Sequence, residues 1–120
     1  MNGKFLLLFT SLIMLNFSAC SSYPESAEGV AQEICEEFQD ADLEAMKIYM
    51  SSEAILQMKE RETYLNAFFK SPEFKQMKNE SDCSQSTKTK QLDHGRLKIY
   101  FGKQLKVKVK VINGQWKMVI

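Results

Sequence analysis

The sequence lacks the residues and spacings on which several kinds of functional site depend. It contains one histidine, His94, and it has no Cys-x-x-Cys motif, so the usual zinc-binding patterns are missing. It also has no glycine-rich phosphate loop, no Gly-x-Ser-x-Gly nucleophile turn and no internal repeat. These absences argue against a metal site, a nucleotide site and serine-hydrolase chemistry, and we expect no cofactor.

The sequence also lacks an apolar run long enough to cross a bilayer as a helix. Its longest run, residues 5–17, is about thirteen residues and is interrupted by Thr10, Ser11 and Asn16, whereas a spanning helix needs about 20. Lys4 precedes the run and two small residues follow it, as in a cleaved signal peptide. We therefore predict a signal peptide over residues 1–19.

The residues at the predicted cleavage site, Phe17-Ser18-Ala19-Cys20, resemble the lipobox of bacterial lipoproteins. The resemblance implies that the Cys20 thiol receives a diacylglycerol and that a peptidase cuts before Cys20. The new amino group is then often acylated, with palmitate as the expected chain, and two or three acyl chains anchor a protein stably. Phe17 departs from the most common leucine. The alternative is an ordinary secretory signal followed by an unrelated cysteine.

The same resemblance implies a location in the cell envelope. Ser21 follows the cysteine. In enterobacteria an aspartate at this position would favour retention at the inner membrane, so a serine here favours the outer membrane, facing the periplasm. The membrane is then a partner through the lipid anchor, and export argues against nucleic acid. We predict a lipidated tether over residues 20–25 and one domain over residues 26–120, the number expected at this length.

The cysteine count fits this location. Three cysteines would leave one thiol unpaired. With Cys20 assigned to lipid, Cys35 and Cys83 form one pair, and the oxidising periplasm favours a disulfide between them. Closing a loop of about fifty residues would stabilise the fold by roughly 4 kcal/mol. The alternative is two separate buried thiols.

The first half of the domain has helical periodicity. Apolar residues recur at intervals of three and four over residues 27–38, with glutamates on the other face. A short helix is expected over residues 43–50. A single stripe over residues 55–69 predicts a third helix with Ser52 as its cap, and Pro72 begins a final helical turn. We therefore expect about three helices.

After Cys83 the period changes to strict alternation, which is typical of strands. Residues 97–101, 105–111 and 116–120 alternate apolar and polar side chains, and the polar segment 84–92 is assigned as an edge strand. Asn113-Gly114 is a favoured two-residue hairpin turn. The preceding turn needs three residues, 102–104, because a slip of one residue would turn every side chain to the wrong face.

These elements predict an α+β domain, with N-terminal helices packed on one face of a C-terminal four-stranded antiparallel meander. The lipobox, residues 43–50 and the terminal Gly114-Gln115-Trp116-Lys117 together resemble small bacterial lipoproteins of the nuclear-transport-factor-two-like (cystatin-like) fold. The resemblance covers residues 25–120. It implies a curved, cone-like sheet wrapped on helices, often with a pocket between them, and it implies little about activity.

Charge is divided along the chain. Residues 20–60 hold ten acidic and two basic residues, and residues 61–120 hold five acidic and thirteen basic ones. Strand alternation places five lysines on the sheet face away from the core: Lys98, Lys106, Lys108, Lys110 and Lys117. One interpretation is a docking surface for an anionic envelope component or an acidic protein. The other is a solvated face whose lysines discourage edge-to-edge pairing.

The remaining candidates for a site are weaker. His94 lies in a predicted turn outside any pocket, so we assign no catalytic residue and expect no enzyme. Methionines and six aromatic residues either line a ligand pocket or form the core: Tyr49, Tyr64, Phe68, Phe69, Tyr100 and Trp116. We therefore expect a non-enzymatic, membrane-anchored binding or interaction protein. The alternatives are a pocket enzyme of the same fold and an inhibitor or assembly factor for an envelope protein.

Overall fold

The computed structural model describes residues 23–120. The predicted signal peptide, residues 1–19, and the predicted lipidation site, Cys20, lie outside the described residues. Five α-helices precede a four-stranded antiparallel sheet and pack against it, which confirms the predicted α+β class. None of the helices within residues 23–120 is long and apolar enough to span a bilayer.

The helices fill the first half of the domain and the strands fill the second. The helices are α1 (Ala27–Gln39), α2 (Leu43–Met46), α3 (Ser52–Glu60), α4 (Glu62–Phe69) and α5 (Pro72–Glu80), with a 3₁₀ turn (Lys47–Tyr49) after α2. The strands are β1 (Lys88–Gln91), β2 (Leu97–Phe101), β3 (Leu105–Ile112) and β4 (Gln115–Met118), with a second 3₁₀ turn (Asp93–Gly95) after β1.

Serine side chains begin three of the helices. The hydroxyl oxygens of Ser26, Ser51 and Ser71 each accept a hydrogen bond from the backbone N–H three residues further on, which satisfies a donor that the helix leaves unpaired. The prediction of Ser52 as the cap of α3 was wrong by one residue, because Ser51 holds that position. Pro72 fits the first position of α5, where no N–H donor is needed.

The strands are joined in the order β1-β2-β3-β4, each antiparallel to the next. The three-residue turn between β2 and β3 sets Ile99 opposite Val107, as predicted. Asn113 and Gly114 both have positive φ, as a two-residue hairpin turn requires. Strand β4 ends at Met118, two residues earlier than the alternation predicted.

The core lies between α1 and the inner face of the sheet. Helix α1 buries Val30, Ala31 and Ile34 against β2, β3 and β4. A disulfide between Cys35 and Cys83, with a Cα–Cα distance of 5.6 Å, ties α1 to the segment that leads into β1. This disulfide was predicted from the cysteine count.

A cluster of phenylalanine rings joins α4 and α5 to α1. Phe38 packs against rings from α4 and α5, with centroid distances of 5.3 Å to Phe69 and 5.8 Å to Phe74. Phe68 lies 5.6 Å from Phe74. Edge-to-face aromatic pairs of this kind add to the free energy of apolar burial, so this cluster helps to hold α4 and α5 against α1.

The outer edge of β4 is covered by chain from the first half of the domain. Met50 forms a parallel bridge with Met118, and the backbone N–H of Ser51 donates to the Met118 carbonyl at 2.9 Å. The Tyr23 hydroxyl donates to the Trp116 carbonyl. The last strand is thereby protected from pairing with another chain.

Candidate functional site

A cavity of about 460 Å³ lies between the helices and the inner face of the sheet. Side chains from all five helices and from β3 and β4 surround it. The exposed residues Arg61, Gln104 and Ile120 contribute to its lining, which marks where it reaches the surface. Its size lies within the range of small-molecule binding sites.

Methionine is the characteristic residue of this cavity. All five methionines within residues 23–120 line it: Met46, Met50, Met58, Met77 and Met118. They come from α2, the segment before α3, α3 itself, α5 and β4, so only the complete fold brings them together. An unbranched thioether side chain adjusts its shape to its neighbours. The wall is therefore suited to apolar ligands of varied outline.

Only part of the predicted aromatic lining is present. Of the six candidate aromatics, Phe68 alone lines the cavity, and it is joined there by Phe38 of α1. Tyr64 is exposed on α4, and Tyr49 and Trp116 lie elsewhere in the fold. The sequence analysis treated core and pocket as alternatives for the methionines. In the structure the same methionines contribute to the core and to the cavity wall.

Polar side chains in the lining are few. The side chains of Gln57, Arg61 and Gln104 contribute to it, whereas Lys106 contributes from β3 with its side chain on the outer face of the sheet. Sequence reasoning missed Gln57, Arg61 and Gln104, because nothing in their local pattern separates them from ordinary surface residues; Lys106 was predicted only as part of the lysine face. Within the part of the chain that the structure describes, no carboxyl, imidazole, hydroxyl or phenol side chain lines the cavity. The cavity can thus bury an apolar molecule.

His94 occupies the turn in which it was predicted. It has a φ of +63°, it is exposed, and it does not line the cavity. Within residues 23–120, no group of three or more histidine, cysteine, aspartate or glutamate side chains is arranged to hold a metal ion.

The outer face of the sheet carries the lysines as the alternation predicted. Lys98 lies opposite Lys108, and Lys110 lies opposite Lys117. Lys106 lies opposite Tyr100 on the same face. Lys88 and Lys90 of β1 extend this lysine face to seven members.

This lysine face is not neutralised by carboxylates. The one ion pair among residues 23–120 joins Lys47 to Glu44, away from the sheet. Like charges directly opposite each other on neighbouring strands are destabilising. The lysine face therefore holds uncompensated positive charge, and an anionic partner would reduce the repulsion among the lysines.

The acidic residues gather on the solvent side of α1. Burial, followed by the charges of Glu33 and Asp40, raises the pKa of Glu36. Burial, followed by the charges of Asp42 and Asp40, raises the pKa of Glu37. Because the other side of α1 packs on the inner face of the sheet, the acidic and basic surfaces lie on opposite sides of the domain.

A third surface lies where the described chain begins. We name it the aromatic corner and define it as Tyr23, Ile48, Tyr49, Trp116 and Lys117, where Trp116 takes part through its carbonyl and packs its ring against the core. The Tyr23 and Tyr49 rings are 5.5 Å apart, and the Lys117 ammonium lies 4.8 Å from the centre of the Tyr23 ring. Lys117 also donates to the Ile48 carbonyl at 3.0 Å. Burial, with the nearby Tyr49, raises the pKa of Tyr23.

The fold and these surfaces define an α+β domain with an apolar cavity, a basic sheet face and an acidic helix face. The chain matches no protein-family model, no curated protein and no solved structure. Its function must therefore be argued from the cavity, the lysine face and the aromatic corner.

Proposed function

We propose that this chain is a lipid-anchored bacterial envelope protein whose domain binds an apolar ligand without transforming it. The methionine-lined cavity carries the proposal, because a concave apolar wall of adaptable side chains gains free energy by removing an apolar molecule from water. The anchor is proposed from the lipobox resemblance at Cys20. The disulfide supports an oxidising compartment such as the periplasm.

The nuclear-transport-factor-two-like family is part of the same proposal. Helices on one face of a four-stranded meander, with a cavity between the two layers, are the arrangement that the family resemblance implies. We favour binding over catalysis because the polar side chains that line the cavity are two amides and an arginine. Among residues 23–120, no imidazole or carboxyl side chain, the groups that most often act as general bases, lines the cavity.

The test is binding of the neutral, apolar fluorophore phenylnaphthylamine to the soluble domain, residues 21–120. Replacing Ala54, a fully buried lining residue, by methionine fills part of the cavity. We expect Ala54→Met to weaken binding about tenfold or more, because each excluded methylene group removes close to 1 kcal/mol. Ala67→Met is the matched control, since Ala67 is exposed on α4 and does not line the cavity.

Two results would count against the proposed site. One is the absence of saturable fluorophore binding to the folded wild-type domain. The other is equal binding by the Ala54→Met and Ala67→Met variants. Organic extraction of the protein purified from its own membrane, followed by mass spectrometry, would identify a native ligand that the cavity retains.

The uncompensated lysine face favours a second candidate function, docking to an anionic envelope component. Lipopolysaccharide is the probe. We expect the Lys106→Gln/Lys108→Gln/Lys110→Gln variant to bind it more weakly than wild type at low salt, with the difference shrinking as salt screens the charges. A matched control neutralises three exposed lysines off the sheet face: Lys59, Lys75 and Lys103. Equal losses in the two triple variants would exclude the face as a docking surface.

A further inference from the structure

We propose that the aromatic corner rests on the bilayer surface and fixes the orientation of the domain on its membrane. This inference depends on the proposed lipid attachment at Cys20. It goes further, because an anchor alone would let the domain turn freely above the membrane.

The length of the chain before the described residues places the corner near the lipid. Tyr23 is held in the corner by its hydrogen bond to the Trp116 carbonyl and by its contact with Tyr49. Three peptide units separate the Cys20 and Tyr23 Cα atoms, so the two lie within about 11 Å of each other whatever the conformation between them. Acyl chains on Cys20 would therefore enter the bilayer beside Tyr23.

The side chains at the corner suit the interface between lipid and water. Tyrosine, which the corner presents twice, concentrates there because it has an apolar ring and a polar tip. Ile48 stands 59 % exposed at this point, although it is a large aliphatic residue. Lys117, with Lys110 opposite it on β3, supplies positive charge for anionic headgroups.

A second exposed aliphatic residue shows why the other faces fit less well. Leu56 is 62 % exposed on α3, but Glu53 and Glu60 lie three residues before it and four residues after it, on the same side of the helix. The solvent side of α1 is also acidic. An anionic bilayer would repel both surfaces, and the repulsion reaches the edge of the corner at Tyr49, which lies near Glu33 and Glu37. Lys117 and Lys110 would attract the other edge, so the two effects together favour a single orientation.

The single tryptophan makes the orientation measurable. Full-length protein is purified from membranes, its Cys20 acylation is checked by mass spectrometry, and it is reconstituted into vesicles of phosphatidylglycerol and brominated phosphatidylcholine in equal parts. Bromine quenches tryptophan fluorescence at short range. We expect the Trp116 emission to fall by about half relative to vesicles without bromine, because contact of the corner with the bilayer would bring Trp116, the neighbour of Lys117 on β4, close to the interface.

Matched variants separate the corner from the anchor. Ile48→Glu should remove most of the quenching, whereas Leu56→Glu should leave it unchanged. Lys110→Glu should reduce quenching more than Lys90→Glu, a change on the far strand of the same face. Circular dichroism of each variant confirms that it is folded before its quenching is compared.

The outcomes distinguish the inference from the proposed function. A chain without acyl groups on Cys20 would defeat the proposed anchor and this inference together. An acylated wild-type protein with unquenched Trp116, or with quenching that Ile48→Glu and Leu56→Glu reduce equally, would overturn the orientation alone. Quenching that follows the predicted order of variants supports it.

Discussion

Gly102 lies where the turn between β2 and β3 passes the end of α5. Its φ is +80°, and a Cβ atom there would lie 2.7 Å from the Glu80 carbonyl oxygen. Gly114 in the next turn has almost the same φ, +81°, but a Cβ atom on it would meet open space. Comparing alanine substitutions at these two glycines therefore separates the energetic cost of a positive φ from the cost of a steric clash.

We predict that Gly102→Ala destabilises the protein more than Gly114→Ala. The Gly114 variant should lose about 1 kcal/mol of unfolding free energy, the cost of an L-residue at positive φ. The Gly102 variant should lose at least about 1 kcal/mol more, because α5 or the turn must move to make room. Urea unfolding of both variants and wild type measures the difference, and equal losses would contradict the contact with Glu80.

At the scale of the element, the hairpins were predictable and the helix boundaries were less so. The alternation of apolar residues, with turns of two and three residues, predicted the register, because a slip of one residue would expose the apolar face. The stripe over residues 55–69 predicted one helix, yet the chain forms α3 and α4 with a break at Arg61. A break of one residue leaves the apolar period almost intact, so the sequence pattern hides it.

Helix α3 offers a test of its observed start. We predict that Ser51→Ala lowers the unfolding free energy by about 1 kcal/mol, because the buried Ala54 N–H loses its hydrogen-bond acceptor. Ser52→Ala should change it by less than about 0.5 kcal/mol, since Ser52 is exposed and caps nothing. Thermal and urea unfolding measure both. A larger loss of stability in the Ser52 variant than in the Ser51 variant would show that Ser52 is the cap, as the sequence predicted.

Helix α1 makes stability depend on pH. Folding raises the pKa of Glu36 and Glu37 above the ordinary carboxyl value of 4.5, so the folded state binds protons more readily than the unfolded state. The two carboxyl groups therefore lower the stability of the fold as pH rises through their raised pKa values. At lower pH they are protonated in both states, and this destabilisation disappears. Both residues also lie in the last turns of α1, where negative charge opposes the helix dipole.

We therefore predict that the Glu36→Gln/Glu37→Gln variant is more stable than wild type near neutral pH. The difference should disappear at about pH 3, where the wild-type carboxyls are protonated as well. Melting temperatures measured across this range test the prediction. A constant difference at all pH values would show that charge is not the cause.

At the scale of the whole molecule, the sequence predicted the polarity of the domain but not its cavity. Counting charges along the chain separated an acidic half from a basic half, and strand alternation placed the lysines on one face. The cavity depends on how residues far apart in sequence meet, such as Met46 of α2 and Met118 of β4. Periodicity assigns each methionine to an apolar face, but it does not show whether that face is fully packed.

The disulfide acts on the stability of the whole domain. Because it joins residues 48 positions apart, its loss should lower the unfolding free energy by roughly 4 kcal/mol on the chain-entropy model. That is a large share of the 5–15 kcal/mol typical of domains, so the reduced protein should unfold at a much lower urea concentration.

Urea unfolding with and without reductant measures this effect. The Cys35→Ala/Cys83→Ala variant is the control, since its stability should not respond to reductant. A wild-type midpoint that stays the same after complete reduction would contradict the predicted contribution.

The packing of α1 across the last three strands bears on how the chain is made. A chain that emerges amino end first from a ribosome or a secretion channel completes its helices before any of the surface that they cover exists. The partner of Met50, Met118, is made long after Met50. Folding must therefore wait until β4 has been made, and until then the chain exposes apolar side chains that a chaperone would shield.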